Sequence, residues 1–386
     1  MRRRSFLAAG GAAGLATTLG GLAMAAPATA STTLAASNGA QSDSLRSLAA
    51  KIGLRIGTAA MPNDLVNQPY TDILASQFSA VTPENEMKWQ VVEPTQGVFD
   101  WTGADNLVNF AEQNKQLVRG HTLLWHNQLP NWLTTGVGNG SISASQLMDL
   151  LEAHIFTEVG RYKGRIWQWD VANEFFTDSD PSEINPNDFW ISNLGPGIIP
   201  QAFRWARQAD PHALLMYNDY NIAGEDGTNA KSDAVFAFVQ QMLEQGVPID
   251  GVGNQGHLDT QYGFPTQMQA DLQRYASLGL KLAITEADVR TFVTDPTSQT
   301  PTTHLATFAQ PYEYDQMMKA AIAVPEVISF TVWGFSDDES WVPGTFAGEG
   351  YADIYDVNLN PKPAYFALQQ DLQLAAFAAP QHGTPS

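Results

Sequence analysis

The chain has 386 residues, a hydrophobic fraction of 44% and no cysteine, so it is long enough to bury a large core but forms no disulfide. Forty acidic residues against 20 Lys and Arg give a formal net charge of −20. This acidity argues against nucleic acid or an anionic membrane as a partner. We expect a monomer.

The N-terminus has the features of an export signal. Three arginines (2–4) precede an apolar stretch that ends near Ala26, and Ala28-Thr29-Ala30 fits a small-residue cleavage site. Residues 1–30 are therefore predicted to be a signal peptide of a secreted, extracellular bacterial protein. Arg3 and Arg4 favour the twin-arginine type, which exports folded protein, over a general secretory signal. Residues 31–43 are predicted to be a linker.

Strand-like and helix-like patterns alternate through the predicted catalytic domain, 44–374, which leaves 375–386 as a tail. This alternation predicts βαβ units and a parallel sheet. Eight such units indicate an α/β fold, a single (β/α)8 TIM barrel, with its active site at the carboxyl ends of the strands. The predicted strands are 54–59, 78–83, 117–125, 166–173, 214–219, 250–257, 281–286 and 327–334.

Two glutamates end strand-like runs and are the candidate catalytic residues. Glu174 follows Asn173 in WDVANEFF (169–176), and Glu286 ends an apolar run in ITEADV (284–289). Both side chains are thus expected at the same end of the barrel. Two carboxylates that face one cleft can hydrolyse a glycosidic bond, because one protonates the leaving oxygen and the other attacks or activates water.

Five further motifs place polar and aromatic residues near predicted strand ends, and a sixth, closing segment (342–365) has no clear chemical role. Two histidines, His121 and His126, lie in one of them, but their spacing fits no common zinc site. We therefore expect no metal site and no other cofactor. The five motifs are TPENEMKW (82–89), RGHTLLWHNQLPNW (119–132), MYNDYN (216–221), VGNQGHLDT (252–260) and FTVWGFSDDESW (330–341).

With these motifs in this order, the chain resembles the endo-β-1,4-xylanases of glycoside hydrolase family 10 over nearly all of 44–374. The resemblance implies retaining endo-hydrolysis of xylan by double displacement, with Glu174 as acid/base and Glu286 as nucleophile. Xylan and xylo-oligosaccharides would be the partners.

The resemblance also assigns substrate-binding residues. Asn173 would bond the sugar 2-hydroxyl, Trp333 would form the floor of the −1 site and Trp341 a wall of the −1/−2 region. The remaining residues carried over from the family pattern are Glu84, Asn85 and Lys88 at the −2 site, His121, Trp125, His126 and Gln128 at the −1 and −2 sites, Asn218 and Tyr220 at family site positions with no subsite assigned, and Gln255, His257 and Asp288 around the nucleophile.

Some positions leave alternatives open. Val342 stands where many members have Arg, and Glu86 is as consistent with a structural role as with a functional one.

Two alternative functions remain open at this point. A β-1,4-glucanase would need room for a C6 hydroxymethyl in the −1/−2 pocket. A non-catalytic binding protein on a decayed barrel should lack one of the two glutamates or the sugar contacts, and this chain keeps them.

Overall fold

The computed structural model describes residues 43–177 and 180–379. The predicted signal peptide (1–30), the linker up to residue 42 and the tail beyond residue 379 lie outside the described residues. Within the described ranges, no helix has the length and apolar character needed to cross a membrane.

Eight parallel strands form a closed barrel, because the last strand pairs with both the first strand and the strand that carries Glu286. The predicted (β/α)8 barrel is confirmed. The barrel strands are β1 (Arg55–Ala60), β2 (Ala80–Pro83), β3 (Leu117–Leu124), β4 (Gln168–Asn173), β5 (Leu214–Asp219), β6 (Gly251–Asn254), β8 (Lys281–Asp295) and β10 (Val327–Val332). Outside the barrel, β7 (His257–Asp259), β9 (Thr300–Pro301) and β11 (Glu349–Gly350) all pair with β8.

Helices lie between the strands and bury apolar side chains against the barrel. Side chains cap the start of some of them: Ser143 and Gln146 form a capping box at α6, and the Ser44 side chain caps α1. The helices are α1 (Leu45–Lys51), α2 (Gln68–Gln77), α3 (Trp89–Val92), α4 (Thr102–Gln113), α5 (Asn131–Gly138), α6 (Ala144–Arg161), α7 (Phe189–Leu194), α8 (Ile198–Ala209), α9 (Ala230–Glu244), α10 (Met268–Ala276), α11 (Ala306–Ile322), α12 (Val342–Thr345) and α13 (Pro363–Ala378). The last helix thus continues four residues past Leu374.

Two strand predictions need correction. The run 250–257 is not one strand, because Gly256 takes a φ of +80° between β6 and β7. Such a backbone conformation suits glycine and interrupts a regular strand. The strand that carries Glu286 does not end there but continues to Asp295, since β7, β9 and β11 pair with its outer half. Glu286 therefore lies within β8, just beyond Ile284, the last residue paired with β6.

The barrel interior is packed closely enough to require glycine at one position. A Cβ on Gly120 in β3 would lie 2.1 Å from the ring of Trp169 in β4, which is fully buried. Contacts this short do not occur between real atoms, so a larger residue at 120 would displace the indole. Gly120 therefore leaves the space that the indole of its strand partner Trp169 occupies.

Candidate active site

A cleft of about 1070 Å³ opens where the polar strand ends were predicted to converge. Seven of the predicted site residues do not line this cleft but lie beneath or beside it: Glu84, Asn85, His126, Gln128, Asn173, Asn218 and Asp288. Ten predicted residues line the cleft, namely Lys88, His121, Trp125, Glu174, Tyr220, Gln255, His257, Glu286, Trp333 and Trp341.

Glu174 is the more accessible of the two glutamates. It follows β4 directly, has a φ of +61°, and its main-chain N–H donates to the carbonyl of Asn218 at 3.0 Å. Its carboxylate accepts hydrogen bonds from Trp125 Nε1 and from Gln255 Nε2, both at 2.7 Å. Two neutral donors therefore orient Glu174, and its remaining surface faces the cleft.

Glu286 is almost fully buried, with 4% of its surface exposed. Its Oε1 accepts from Asn218 Nδ2 at 2.8 Å and from the Arg119 guanidinium at 3.3 Å. Its Oε2 lies 3.5 Å from His257 Nε2. The main-chain N–H of Glu286 donates to the carbonyl of Gln255, whose side chain bonds Glu174. The same residue, Gln255, thus contacts both candidate catalytic residues.

The charges around Glu286 keep it ionised. Burial alone would raise its pKa, but the hydrogen bond from His257 and the charges of His121 and Arg119 lower the pKa to about 2. Burial likewise opposes the charge on His257, yet Asp288, 2.9 Å from its Nδ1, together with Glu286 raises the pKa of His257 to about 10. Glu286 is therefore a carboxylate and His257 a cation at neutral pH.

A second ionic group lies beside Glu286, the candidate nucleophile. Its members Arg119 and Asp170 were not predicted as site residues from the sequence. Arg119 in β3 donates from Nε and a terminal nitrogen to one oxygen of Asp170 at 2.9 and 2.6 Å, and also to the carbonyl of Thr285 at 2.6 Å. His121 Nδ1 contacts the same Asp170 oxygen at 2.8 Å. Charged residues in the middle of buried strands must be paired, and that signal could have identified Arg119 and Asp170.

His121, Asp170 and Glu286 offer ligand atoms within 4.8 Å of one another, as a metal site would. The Arg119 guanidinium, however, bonds both carboxylates of this group. A cationic side chain therefore already supplies the positive charge that a metal ion would contribute between these acids. The donor set fits an ion-pair network better than a metal centre.

Polar residues after β2 and β3 form one group beside the cleft. Lys88 Nζ and Gln128 Nε2 each donate to Asn85 Oδ1 at 3.2 Å, and the Lys88 ammonium lies 4.9 Å from the Trp125 ring centroid. Burial lowers the pKa of Lys88 and raises that of Glu84 to about 7. Glu86 accepts from the main-chain N–H of Asn85 at 3.1 Å, which is a structural contact.

Two tryptophans after β10 form aromatic walls. The Trp333 ring meets His121 edge-on at 5.1 Å, and Trp341 donates from Nε1 to Asp288 at 2.8 Å while its ring lies 5.0 Å from His257. Both tryptophan rings therefore contact residues of the ionic groups around Glu286. Val342 is fully buried, so this position contributes no side chain to the rim.

Four other predicted residues contact neighbouring side chains of the protein. Asn173 and Asn218 are fully buried and bonded to each other at 2.8 Å. His126 Nδ1 lies 3.2 Å from Asp188, which caps α7. The Lys231 ammonium lies 3.3 Å from the centroid of the Tyr220 ring.

Several cleft residues were not predicted from the sequence. They include Asn127, Asn221, Glu225, Tyr262, Phe264, Arg290 and Phe346. Asn127 and Asn221 lie inside motifs in which other residues were predicted. The others come from the loops after β5 and β7, the outer part of β8 and the segment after α12, which lie beyond the predicted strand ends.

The sequence profile of glycosyl hydrolase family 10 matches residues 44–371. The chain is 39% identical to endo-1,4-beta-xylanase B of Thermotoga neapolitana over 86% of this chain and 92% of that protein. It is 38% identical to an endo-1,4-beta-xylanase of Agaricus bisporus over 83% of this chain and 92% of the relative. The crystal structure of xylanase 10B from Thermotoga petrophila in complex with xylobiose is similar, with a TM-score of 0.79 and 38% identity over 86% of this chain and 98% of that one.

Proposed function

This chain belongs to glycosyl hydrolase family 10, and we propose that it is an endo-β-1,4-xylanase that cleaves xylan with retention of anomeric configuration. The observation that carries the proposal is the pair of carboxylates with different environments at one cleft. Glu286 is buried and ionised among His257, Asn218 and Arg119, whereas Glu174 is oriented by neutral donors. Two carboxylates in such different environments can take different catalytic roles, one as the nucleophile and the other as the acid/base.

In the first step, a carboxylate oxygen of Glu286 attacks the anomeric carbon of the −1 xylose, and the glycosidic C–O bond breaks. Glu174 donates its proton to the departing oxygen. In the second step, Glu174 removes a proton from water, the water oxygen attacks the same carbon, and the bond to Glu286 breaks. Acid/base assistance of this kind contributes about 10²–10⁴ in rate. The two carboxylates supply acid, base and nucleophile, so the reaction requires no cofactor.

The substrate contacts follow from the same arrangement. Lys88, Asn85 and Glu84 would bind hydroxyls of the −2 sugar, and Trp333 and Trp341 would pack on the sugar rings. Among the residues that the structure describes, the Lys88 ammonium has one hydrogen-bonded partner, Asn85, and therefore has donors to offer a sugar. Asn173 Nδ2 is buried without a hydrogen-bond partner among the described residues and would serve as a donor to the 2-hydroxyl.

The stereochemical test is proton NMR of the first products from a xylo-oligosaccharide. We expect the β-anomer to accumulate before mutarotation, because two inversions at one carbon restore its configuration. An initial α-anomer would contradict double displacement. Parallel product analysis on xylan and cellulose tests the substrate, and faster release of sugars from cellulose would favour a β-1,4-glucanase.

We also propose that the protein is secreted through the twin-arginine pathway, on the basis of Arg3 and Arg4 in the N-terminal segment. Changing both residues to Lys keeps the charge but removes the arginine pair. Secretion from the native host should then stop. Secretion at the parental level would favour the general pathway instead.

A further inference from the structure

Strand β5 presents its two faces to different parts of the molecule. Side chains alternate between the faces of a strand. Asn218 points into the barrel, where it bonds Glu286. Its neighbours Tyr217 and Asp219 therefore point outward, toward the helices, and the Tyr217 ring packs against Phe238 of α9 with 6.0 Å between the ring centroids. Both outward residues are fully buried, and the reaction steps proposed above do not involve them.

The outward face of β5 carries a buried ion pair. Lys231, in the first turn of α9, places its ammonium 2.9 Å from Oδ1 of Asp219, and both side chains are fully buried. The hydroxyl of Tyr217 donates to the other carboxylate oxygen, Oδ2, at 2.6 Å. The main-chain N–H of Tyr220 donates to Oδ1 at 2.9 Å. These contacts fix the Asp219 carboxylate, and the carboxylate in turn fixes the direction in which Tyr217 presents its hydroxyl oxygen.

Tyr217 connects this ion pair to the residue that follows Glu174. Its hydroxyl oxygen accepts a hydrogen bond from the main-chain N–H of Phe175 at 3.3 Å. The preceding N–H, that of Glu174, donates to the carbonyl of Asn218 at 3.0 Å. Strand β5 therefore holds two consecutive N–H groups beyond the end of β4, one through its main chain and the other through the side chain of Tyr217.

Glu174 depends on such contacts because its backbone is strained. Its φ of +61° lies in the left-handed region, which residues with a Cβ adopt infrequently. A strained conformation persists only where the surrounding structure holds it. The same conformation sets the direction in which the carboxylate leaves the end of β4. Loss of one support would therefore displace the carboxylate from Trp125 and Gln255, its two hydrogen-bond donors.

Asp219 reaches Glu174 by a second route as well. Its carbonyl accepts from the main-chain N–H of Gln255 at 3.0 Å, and the side chain of Gln255 donates to the Glu174 carboxylate at 2.7 Å. A displacement of Asp219 would thus disturb both the main chain that carries Glu174 and one donor to its carboxylate.

We propose that Tyr217, Asp219 and Lys231 form a positioning network for the acid/base, and that this network holds the Glu174 carboxyl group in line for proton transfer to the leaving oxygen. The inference rests on the proposed function, in which Glu174 is the acid/base. None of the three residues lines the cleft, so they act through Glu174 and do not touch the substrate. The attack by Glu286 does not depend on them.

The test compares two substrates that differ in their need for an acid. Xylotetraose has a sugar hydroxyl as its leaving group and needs the proton from Glu174, whereas a dinitrophenyl β-xylobioside releases a stable phenolate. Tyr217→Phe removes only the hydroxyl that links Phe175 to Asp219. It should lower kcat/KM on xylotetraose about threefold to tenfold, as the loss of one hydrogen bond does, and leave the dinitrophenyl substrate within about twofold of the parent.

A second variant removes the ion pair instead of the hydroxyl. The double substitution Asp219→Asn with Lys231→Met takes away both charges together, which a buried site tolerates better than the loss of one partner. It should also lower kcat/KM on xylotetraose more than on the dinitrophenyl substrate, because the hydroxyl of Tyr217 loses its charged acceptor. Thermal melts set an assay temperature at which each variant is folded. A parental ratio of the two activities would overturn the role of the ion pair.

The matched control is Tyr275→Phe, which removes another buried tyrosine hydroxyl in the same region. Tyr275 in α10 donates to the carbonyl of Ser232, the residue after Lys231, and does not line the cleft. The control should change stability but not the ratio of the two activities. Equal losses on both substrates for Tyr217→Phe, or unchanged rates on both, would overturn the inference.

Glu174→Ala separates this inference from the proposed function. It should lose most activity on xylotetraose and keep much of it on the dinitrophenyl substrate. Equal losses on the two substrates would overturn the assignment of Glu174, and this inference with it. If Glu174→Ala behaves as expected and Tyr217→Phe does not shift the ratio, only the positioning network is wrong.

Discussion

The side-chain amide of Asn218 donates a hydrogen bond to Oε1 of Glu286 at 2.8 Å. The carbonyl of Asn218 accepts from the main-chain N–H of Glu174 at 3.0 Å, and its Oδ1 accepts from Thr285 at 2.7 Å. One fully buried residue at the end of β5 therefore contacts both candidate catalytic residues. Its amide orientation is set by Thr285, which leaves the NH₂ group directed at the carboxylate.

Asn218→Ala should reduce kcat on xylan because Glu286 loses its shortest hydrogen bond. A hydrogen bond to a charged group contributes about 1.5–3 kcal/mol, which corresponds to about 10-fold to 100-fold in rate. Steady-state kinetics together with a thermal melt separate this effect from unfolding. A folded variant within threefold of the parental kcat would show that Asn218 does not orient the nucleophile.

The roles of the two glutamates predict different substrate dependence. Glu174→Ala should nearly abolish xylan hydrolysis but keep much of its glycosylation rate on an aryl β-xylobioside with an acidic phenol, since that leaving group needs no proton. Glu286→Ala should lose both activities. Stopped-flow release of the phenol measures this step. Equal losses of the two variants on the aryl substrate would reject the assignment.

His257 should couple stability to pH in the alkaline range. Its folded-state pKa of about 10 lies above the ordinary 6.5, so its stabilising effect is complete below pH 6.5 and is lost as the pH rises toward 10. Between pH 7 and 10, the Tm of His257→Gln should therefore fall less than the Tm of the parent. The variant should also raise the pKa of Glu286, which would move the acidic limb of kcat/KM to higher pH. If the Tm of the variant and that of the parent fell by the same amount over this pH range, His257 would not couple stability to pH.

A buried pair on α6 should lower stability as the pH rises above the ordinary pKa of a glutamate, 4.5. His154 Nε2 lies 3.4 Å from Glu158 Oε2, and neither carboxylate oxygen of Glu158 has a hydrogen-bond partner among the described residues. Burial lowers the pKa of His154 to about 3 and raises that of Glu158 well above 4.5, so burial favours the neutral form of both side chains. A raised carboxyl pKa gives stability that is complete below pH 4.5 and lost as the pH rises.

Glu158→Met should accordingly raise the free energy of unfolding by about 1–3 kcal/mol, the cost of an unsatisfied buried polar group. The gain should be larger at pH 8 than at pH 5. Glu158→Gln is the matched control, because it keeps the polar shape and should remove only the pH dependence. Urea unfolding at both pH values measures the difference. An equal gain for Glu158→Met at pH 5 and pH 8 would show that Glu158 does not titrate as described.

The alternation of strand-like and helix-like segments was sufficient to predict the barrel, because parallel strands need helical crossovers and eight repeats close the sheet. The polar residues at the predicted strand ends likewise predicted that Glu174 and Glu286 lie at the same end of the barrel. Local patterns carried this information, since a buried strand shows as a short apolar run and an active-site residue as the polar group that ends it.

The tertiary structure decided which residues act on those glutamates. Arg119 and Asp170 lie 51 positions apart, and only the pairing of β3 with β4 brings the guanidinium and the carboxylate together beside Glu286. The continuation of β8 to Asp295 depends on β7, β9 and β11, which pair with its outer half, and Arg290 in that half forms ion pairs with Asp259 and Glu349. A sequence specifies local patterns directly, but ion pairs and strand partners depend on how the closed barrel aligns segments that are far apart in the chain.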